Sequence, residues 1–364
     1  MKYSYWLMNI EELGPVSLGR MLENGYRAKD IYDMPINKLE AISFFNKTQK
    51  KAIEKSRATF DIDKKYDELL KSDTTFLCRE EGPFPGRLKN IPNPPYGIFF
   101  NGALPDEGRL CVGIVGARSC STYGRMVALG IGKALAGEKI QVISGLARGI
   151  DSIGQKGAME GGGDVFAVLG TGTDICYPSE NIILYRQILE RGGLISEYPP
   201  KTPGKPFHFP MRNRIISAFS DAIIVVEARK KSGSLITADL ALEQGKDIFA
   251  VPGMIDSKLS IGTNELIRQG AHVFTSMEGF LEDISVTPLY DHKYGPKSKK
   301  EKITLVKSER VVYSILRLSP MGIDEIVSEA GLGYREALDG VLGLILKGLA
   351  MEVTKNNYIK SADI

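Results

Sequence analysis

Short apolar runs alternate with segments of helical length through the middle of the chain. The apolar runs lie at 110–115, 141–143, 164–169, 193–195, 222–226 and 247–251. The segments of helical length lie at 123–137, 149–160, 181–191, 211–219 and 234–244. Continuous apolar strands that alternate with helices are typical of a parallel sheet covered on both faces. The pattern therefore predicts an α/β fold, a doubly wound Rossmann-like parallel sheet, with 271–274 as a candidate seventh strand.

Apolar residues at helical spacing also precede this region. They predict a small helical, SAM-like domain over 1–72, with breaks at Gly14-Pro15, Asn24-Gly25 and Met34-Pro35. This domain is either a module that contacts DNA or protein or a helical appendage that only packs; its nearly equal numbers of acids and bases favour the appendage. Residues 79–105, rich in proline and glycine, are predicted to be extended and not helical. The sheet domain is expected to cover 73–285.

The pattern changes again after the sheet. A proline- and lysine-rich linker is expected at 286–307, followed by a C-terminal winged-helix domain at 308–364. Three amphipathic helices and a strand pair about Asn356 predict the winged helix, a module that frequently binds DNA or protein. Its third helix is mostly apolar and carries only Arg335 and Lys347 as bases. That composition favours protein contact or a structural role over reading a DNA groove.

Composition narrows the class of protein. A chain of 364 residues with 43% hydrophobic and 25% charged residues is typical of a soluble globular protein with two or three domains. Its net charge of +3 gives no strong overall field, so a nucleic-acid site must be a local patch. The four scattered cysteines form no C-x-x-C pair, which disfavours a zinc site and suits a reducing compartment. With neither a signal peptide nor an apolar run of membrane length, we expect a cytoplasmic protein that does not contact membrane.

Small and basic residues follow the predicted strands. In a parallel sheet of this kind, ligands bind outside the carboxyl ends of the strands. Small residues there, such as Ser144 and Gly145, let backbone N–H groups approach a phosphate, and the following helix N-termini attract negative charge. Arginines can add bidentate contacts; those at this edge are Arg118, Arg148, Arg212 and Arg214. The pattern predicts a rim that binds a polyanion.

The segment 207–214, Phe-His-Phe-Pro-Met-Arg-Asn-Arg, combines aromatic and basic residues. No Asp or Glu occurs from 198 to 220, whereas Lys201 and Lys205 add positive charge. Aromatic faces for bases and cations for phosphates are what single-stranded nucleic acid requires. The alternative is a solvated basic loop that leads into a core helix. Because the segment follows the fourth predicted strand, we interpret it as one wall of the rim, with Phe209 as the stacking residue; Arg214 faces either DNA or an internal carboxylate such as Glu227.

Enzyme signatures are weak. The first strand–helix turn lacks G-x-G-x-x-G, no acid follows the second strand, and no P-loop occurs, so neither a nicotinamide cofactor nor ATP hydrolysis is expected. Acids do occur near the rim, but no nucleophile–base pair or metal cluster accompanies them; they are Asp151, Glu197, Glu227 and Asp239. We expect a binding protein without cofactor, metal or catalytic residue; the alternative is an enzyme that acts on a nucleotide or nucleoside phosphate at the same rim.

Taken together, the rim motifs resemble the DNA-processing protein A family (DprA, also called Smf) over about residues 80–275. The motifs that carry this resemblance are Val115-Gly116-Ala117-Arg118, Ser144-Gly145-Leu146-Ala147-Arg148-Gly149-Ile150-Asp151, Val168-Leu169-Gly170-Thr171-Gly172, Tyr177-Pro178, Ser196-Glu197-Tyr198-Pro199, Phe209-Pro210-Met211-Arg212-Asn213-Arg214, Ser232-Gly233-Ser234-Leu235-Ile236-Thr237-Ala238, Ala250-Val251-Pro252-Gly253 and Gly262-Thr263-Asn264. The resemblance implies a non-catalytic homodimer that binds single-stranded DNA and helps load the recombinase RecA onto it. DNA processing, natural transformation and homologous recombination are the implied processes, with single-strand binding protein as a further partner.

The resemblance also implies the roles of individual residues. The DNA pocket is implied to contain Arg118, Lys205, Phe209, Arg212 and Arg214, shaped by Asn213, Ser144 and Gly145. Arg148 joins these DNA-binding residues as a cation of the same rim. One departure is visible, because Gly154-Gln155 stands where relatives usually have Ala-His. Any proton chemistry of that histidine is missing here, which agrees with a binding role.

Overall fold

A nine-stranded sheet forms the centre of the computed structural model, which describes residues 1–285, 305–317 and 320–360. Its strands are β1 (Thr75–Cys78), β2 (Gly97–Gly102), β3 (Cys111–Val115), β4 (Gln141–Ser144), β5 (Val165–Leu169), β6 (Gly193–Ser196), β7 (Ala222–Val225), β8 (Asp247–Ala250) and β9 (His272–Val273). The order is β1-β2-β6-β5-β4-β3-β7-β8-β9. Strands β3 to β9 pair in parallel, and β2 joins β6 antiparallel. All seven predicted strands are confirmed, whereas β1 and β2 were not predicted.

Helices cover both faces of this sheet. They are α7 (Gly86–Lys89), α8 (Thr122–Gly137), α9 (Ile150–Glu160), α10 (Ile182–Arg191), α11 (His208–Phe219), α12 (Gly233–Glu243), α13 (Ile261–Arg268) and α14 (Met277–Ser285), following the six N-terminal helices given below. Helices α8, α9, α10 and α14 share one core with alternate strand residues such as Val112 and Ile114. Helices α7, α11, α12 and α13 pack on the other face, against residues such as Cys111 and Val115. The doubly wound α/β prediction is therefore confirmed.

The proline- and glycine-rich segment differs from its prediction. Residues 79–105 were expected to contain no helix, but α7 forms at 86–89. Pro85 precedes the helix at the N-cap, where a fixed φ near −60° suits the first turn and no intrahelical N–H is lost. Leu88 is fully buried against the sheet core, so tertiary packing stabilises this single turn.

Six N-terminal helices pack on the antiparallel edge of the sheet. They are α1 (Lys2–Met8), α2 (Pro15–Glu23), α3 (Ala28–Asp33), α4 (Ile36–Ala41), α5 (Lys47–Thr59) and α6 (Ile62–Leu70). Trp6 and Met21 of these helices share one core with Phe76 of β1 and Phe99 of β2. The rings of Phe76 and Phe99 stack with their centroids 4.8 Å apart. The short helices break where glycine and proline predicted, and their core is continuous with the edge of the sheet.

The C-terminal region contains three helices and a small antiparallel sheet. Its elements are α15 (Lys307–Ile315), β10 (Met321–Gly322), α16 (Ile323–Ala330), α17 (Tyr334–Leu346), β11 (Ala350–Thr354) and β12 (Asn357–Lys360). The sheet order is β10-β12-β11, and Val312, Ile326 and Val341 form its fully buried core with the helices. This is the winged-helix arrangement that the sequence predicts. Most of the expected linker, 286–304, lies outside the described residues.

Candidate nucleic-acid interface

The carboxyl ends of the parallel strands bring the loop after β3 next to the start of α11. In this sheet order, β4, β5 and β6 lie on one side of β3, and β7, β8 and β9 lie on the other. The crevice where the connections diverge is the usual ligand site of such a sheet. Arg118 lies in the loop after β3, and Phe209 lies in the first turn of α11. Both residues belong to the predicted rim, and the structure places them in contact.

Arg118, Phe209 and Tyr177 form an aromatic and cationic cluster. The guanidinium carbon of Arg118 lies 5.9 Å from the centroid of the Phe209 ring. The Tyr177 ring also neighbours Phe209, with the ring centroids 5.2 Å apart and the planes inclined by 31°. Arg118 is exposed, and Tyr177 is 52% exposed. A cation over one ring and a second accessible ring beside it are able to take a phosphate and a stacked base together.

Two glycines leave the space that Phe209 occupies. A Cβ at Gly170, directly after β5, would lie 2.8 Å from Cδ1 of the Phe209 ring. A Cβ at Gly204 would lie 3.1 Å from its Cζ atom. The ring is therefore held against the end of the sheet and is only half-exposed, whereas neighbouring Phe207 is 60% exposed and packs edge-on against His208.

Lys205 and Arg148 border this cluster, and each forms an ion pair. The ammonium group of Lys205 pairs with the carboxylate of Glu11, in the turn between α1 and α2. Arg148 Nε donates to Glu180 Oε1 at 2.8 Å, and both side chains are exposed. A phosphate that binds either cation must compete with the carboxylate already paired with it. Such competition is feasible because solvent-exposed ion pairs of this kind are weak and exchangeable.

Arg212 lies inside the protein. Its Nη1 atom donates to the carbonyl oxygens of Gly145, at 2.8 Å, and Val168, and its Nε donates to Oδ1 of Asn213 at 3.0 Å. Burial lowers the pKa of Arg212 to about 10, so the group stays charged at neutral pH. It joins the ends of β4 and β5 to α11. The sequence predicted that Arg212 binds DNA, but the structure places it in the interior, with its Nε and Nη1 donors used within the fold.

Arg214 also points inward. Its Nη2 atom donates to both carboxylate oxygens of Glu197, at 2.7 and 2.6 Å, and both side chains are buried. Of the two alternatives that the sequence left open, the internal carboxylate is therefore the partner, but it is Glu197 and not Glu227. Because a buried bidentate pair is shielded from solvent, the predicted DNA contact of Arg214 is revised as well.

The remaining predicted residues form the wall behind the cluster. Ser144 is fully buried, and its hydroxyl donates to the Ile114 carbonyl at 2.5 Å. The N–H of Gly145 donates to Oδ2 of Asp151 at 3.2 Å. Burial raises the pKa of Asp151 despite the nearby charge of Arg212. Asn213 is half-buried, and its Nδ2 reaches the Gly233 carbonyl at 3.4 Å.

Three of the four acids named for the enzyme alternative form structural contacts, whereas the fourth, Asp239, is exposed on α12. Glu227 accepts hydrogen bonds from the backbone N–H and the hydroxyl of Ser121, at the N-cap of α8. Glu197 and Asp151 are engaged as described above. Gln155 is fully buried, and its Nε2 donates to the Phe166 carbonyl at 2.9 Å. Within the described residues, no three His, Cys, Asp or Glu side chains are grouped to hold a metal.

Two residues of this interface were missed as site residues. Tyr177 could have been found, because Tyr177-Pro178 follows the third predicted strand at the same edge as Arg118 and Phe209. Glu11 could not have been found, because it lies 194 residues from Lys205 in the chain and no local pattern links them.

The fold and this rim define a Rossmann-like α/β protein with a cationic and aromatic cluster at the carboxyl ends of its strands. Residues 75–285 match the family model described as DNA recombination-mediator protein A. The chain therefore belongs to the DNA recombination-mediator protein A (DprA/Smf) family, which confirms the resemblance predicted from its motifs.

Individual relatives cover most of the chain. Protein Smf of Synechocystis sp. is 31% identical, across 98% of this chain and 98% of its own. The X-ray structure of DNA processing protein A (DprA) from Streptococcus pneumoniae superposes with a TM-score of 0.68 at 30% identity, covering 78% of this chain and 98% of that one. DNA processing protein A from Helicobacter pylori, whose structure describes a single-stranded DNA binding mode, superposes with a TM-score of 0.53 at 27% identity, covering 59% and 97%.

No helix in the described part of the chain combines the length and the apolar character needed to cross a membrane.

Proposed function

We propose that the protein binds single-stranded DNA at the cluster of Arg118, Phe209 and Tyr177, without performing chemistry on it. The observation that carries this proposal is the contact of Arg118 with the Phe209 ring, beside the exposed Tyr177 ring. Stacked bases in a duplex hide their faces, whereas a single strand offers a base face and a phosphate to the same cluster. The Helicobacter pylori relative, which binds single-stranded DNA, supports this choice of ligand.

In this proposal the predicted residues divide into two groups. Arg118, Arg148, Lys205 and Phe209 contact the strand, together with Tyr177. Ser144, Gly145, Arg212, Asn213 and Arg214 position the contact residues from behind. Arg212 and Asn213 lie one turn after Phe209 on α11, so their contacts with β4, β5 and the Gly233 carbonyl fix the ring's position.

Membership of the family supports a more specific proposal. We propose that the protein mediates recombination by loading RecA onto the bound strand, in the cytoplasm, and that it acts on strands coated by single-strand binding protein. A homodimer that aligns two clusters is part of this proposal, as is a role in natural transformation. The family description as a recombination mediator supports the partner assignment.

Binding is tested with labelled single- and double-stranded oligonucleotides of the same sequence, across a salt series. We expect preference for the single strand and a linear fall of log affinity with log salt concentration. A mononucleotide competitor should fail to displace the oligonucleotide; displacement together with its turnover would support the nucleotide enzyme instead. Equal affinity for duplex and single strand would contradict the proposal.

RecA loading needs a separate assay. On single-stranded DNA coated with single-strand binding protein, ATP hydrolysis by RecA begins after a lag. The protein should shorten this lag, and Phe209→Ala should restore it. A lag that the wild-type protein leaves unchanged, despite normal DNA binding, would contradict the loading role alone.

A further inference from the structure

We infer that the loop after β7, Arg229-Lys230-Lys231, is a second phosphate-binding segment that extends the path of the same DNA strand. The inference rests on the proposed function. All three residues are exposed, and none of them forms an ion pair with a described residue. The charge of Lys230 contributes to lowering the pKa of Glu265, but the main cause is Arg268, whose Nη2 lies 2.5 Å from Oε1 of Glu265. Three consecutive cations with no ion-pair partner among the described residues therefore face solvent.

This loop lies directly beside the Arg118 loop. Strands β3 and β7 are paired neighbours, with Val115 opposite Val225, and parallel strands lie about 4.8 Å apart. The pairing continues past the strands, because the N–H of Val226 donates to the Val115 carbonyl at 3.1 Å. A Cβ at Gly116 would lie 3.0 Å from the Glu227 carbonyl oxygen. The two loops thus leave the sheet side by side at the crevice.

The loop is also joined to the helix that carries Phe209. Nδ2 of Asn213, one turn after Phe209, donates to the carbonyl of Gly233, the first residue of α12, at 3.4 Å. The residues that flank the loop, Glu227 and Gly233, therefore lie against the β3 loop and α11. A strand that leaves Arg118 across the crevice meets Arg229, Lys230 and Lys231 next.

The ion pairs of the rim leave few cations free for phosphates, and the loop can supply the missing phosphate contacts. Lys205 and Arg148 are neutralised by Glu11 and Glu180, and Arg212 and Arg214 are used internally. Among the nine predicted DNA-binding residues, Arg118 alone offers an exposed cation with no carboxylate partner in the described structure. One such charge holds a single phosphate, whereas binding over several nucleotides needs further phosphate contacts. The loop supplies them without displacing any internal carboxylate.

The test compares two matched double variants. Lys230→Gln/Lys231→Gln removes two loop charges. Lys89→Gln/Lys139→Gln is the control and removes two exposed lysines at the amino ends of the strands, away from the rim. Lys89 ends α7 beside the amino end of β7, and Lys139 precedes β4. Affinity for short and long oligothymidylates is measured across a salt series, and thermal unfolding shows that each variant folds.

We expect the loop variant to lose at least about tenfold in affinity for the long oligothymidylate at low salt, with a slope of log affinity against log salt that falls by about 0.7 per lost contact. A short oligothymidylate that fills only the Arg118–Phe209 cluster should bind as before, and the Lys89/Lys139 variant should keep the wild-type slope. Arg229→Lys, which keeps the positive charge, should also keep the wild-type salt slope.

Phe209→Ala separates the two proposals. If it weakens binding of both oligonucleotides while the loop variant matches the Lys89/Lys139 control, the cluster binds DNA and the loop inference is wrong. If neither Phe209→Ala nor the loop variant alters binding, the proposed site itself is wrong.

Discussion

The carboxylate of Glu11 forms an ion pair with the ammonium group of Lys205, which joins the N-terminal helices to the DNA-binding rim proposed here. Glu11 is largely exposed, and its hydrogen bond with Lys205 lowers the pKa of its carboxyl. The carboxylate stays ionised at neutral pH and pairs with Lys205, the cation that a phosphate would bind in the proposed function. If a phosphate binds Lys205 as proposed, one turn of the N-terminal helices competes with the ligand for this cation.

Glu11→Gln should strengthen binding of single-stranded DNA. An exposed pair of this type is worth about 0.2–1 kcal/mol, so the expected gain in affinity is up to about fivefold, and it should shrink as salt rises. Fluorescence anisotropy with a labelled oligothymidylate measures the gain. Glu12→Gln is the matched control, since it removes the same charge one residue away. Equal gains in both variants would show only a long-range charge effect.

Phe209→Ala should weaken binding of single-stranded DNA by about 1–3 kcal/mol if a base stacks on the ring. Its neighbour Phe207 is more exposed but packs edge-on against His208, and no Lys or Arg among the described residues lies over its ring. Phe207→Ala should therefore change affinity far less. The same anisotropy assay compares both variants, and an equal or larger loss with Phe207→Ala would move the stacking site.

Arg214 should prove to be a stability residue. Removing one partner of a buried bidentate pair leaves an uncompensated charge, so Arg214→Met should lower the free energy of unfolding by about 3–5 kcal/mol. The double variant Arg214→Met/Glu197→Leu should recover much of this loss, because both charges are then gone. Urea unfolding measures each variant. Wild-type stability combined with lost DNA binding would restore Arg214 to the DNA surface.

The orientation of the two arginines shows where prediction from sequence stops. The stretch from 198 to 220, which has no Asp or Glu, predicted unpaired arginines. Arg212 instead donates to backbone carbonyls and Arg214 pairs with Glu197, and only the fold brings these partners to α11. The apolar runs located β3 to β8 because these strands are almost entirely buried on both faces, whereas both residues of β9 are exposed and that strand was only a candidate. Strands β1 and β2 were not predicted because they lie at the antiparallel edge of the sheet, where proline- and glycine-rich sequence surrounds β2. The Glu11–Lys205 pair depends on tertiary packing that no local pattern encodes.

His208 should make stability depend on pH. It is buried, and its ring stacks on the Tyr198 ring with the centroids 3.8 Å apart. Its Nδ1 lies 3.0 Å from the Gly170 carbonyl oxygen. Burial lowers the pKa of His208, and the charge of Lys205 acts in the same direction. The unfolded chain therefore binds the proton first as pH falls below about 6.5, so the free energy of unfolding decreases on acidification until the folded pKa is reached.

The comparison with His208→Asn isolates this contribution, because the amide can still donate to the Gly170 carbonyl but does not titrate. Unfolding in urea at a series of pH values should show a steeper acid loss for the wild type than for the variant. Parallel curves for the two proteins would show that His208 does not contribute.

Gly145→Ala tests how the wall behind the cluster supports the rim. The added Cβ would lie 2.7 Å from Oδ2 of Asp151 and against Nη2 of Arg212, well inside contact distance. Arg212 cannot yield easily, because its guanidinium is buried and bound to the carbonyls of Gly145 and Val168. We expect a loss of about 1–3 kcal/mol in the free energy of unfolding.

DNA affinity should fall in the same variant, because Arg212 lies one turn after Phe209 on α11 and a shift of its guanidinium displaces the ring. Gly137→Ala is the matched control. Gly137 ends α8, and apart from its chain neighbours and its own helix backbone no described atom lies within 4 Å of the added Cβ, so the change should stabilise by about 0.5–1 kcal/mol without changing affinity. Urea unfolding and anisotropy on the same samples give both quantities. Lost stability with unchanged affinity for Gly145→Ala would mean that the ring is held by Gly170 and Gly204 alone, independently of the arginine behind it.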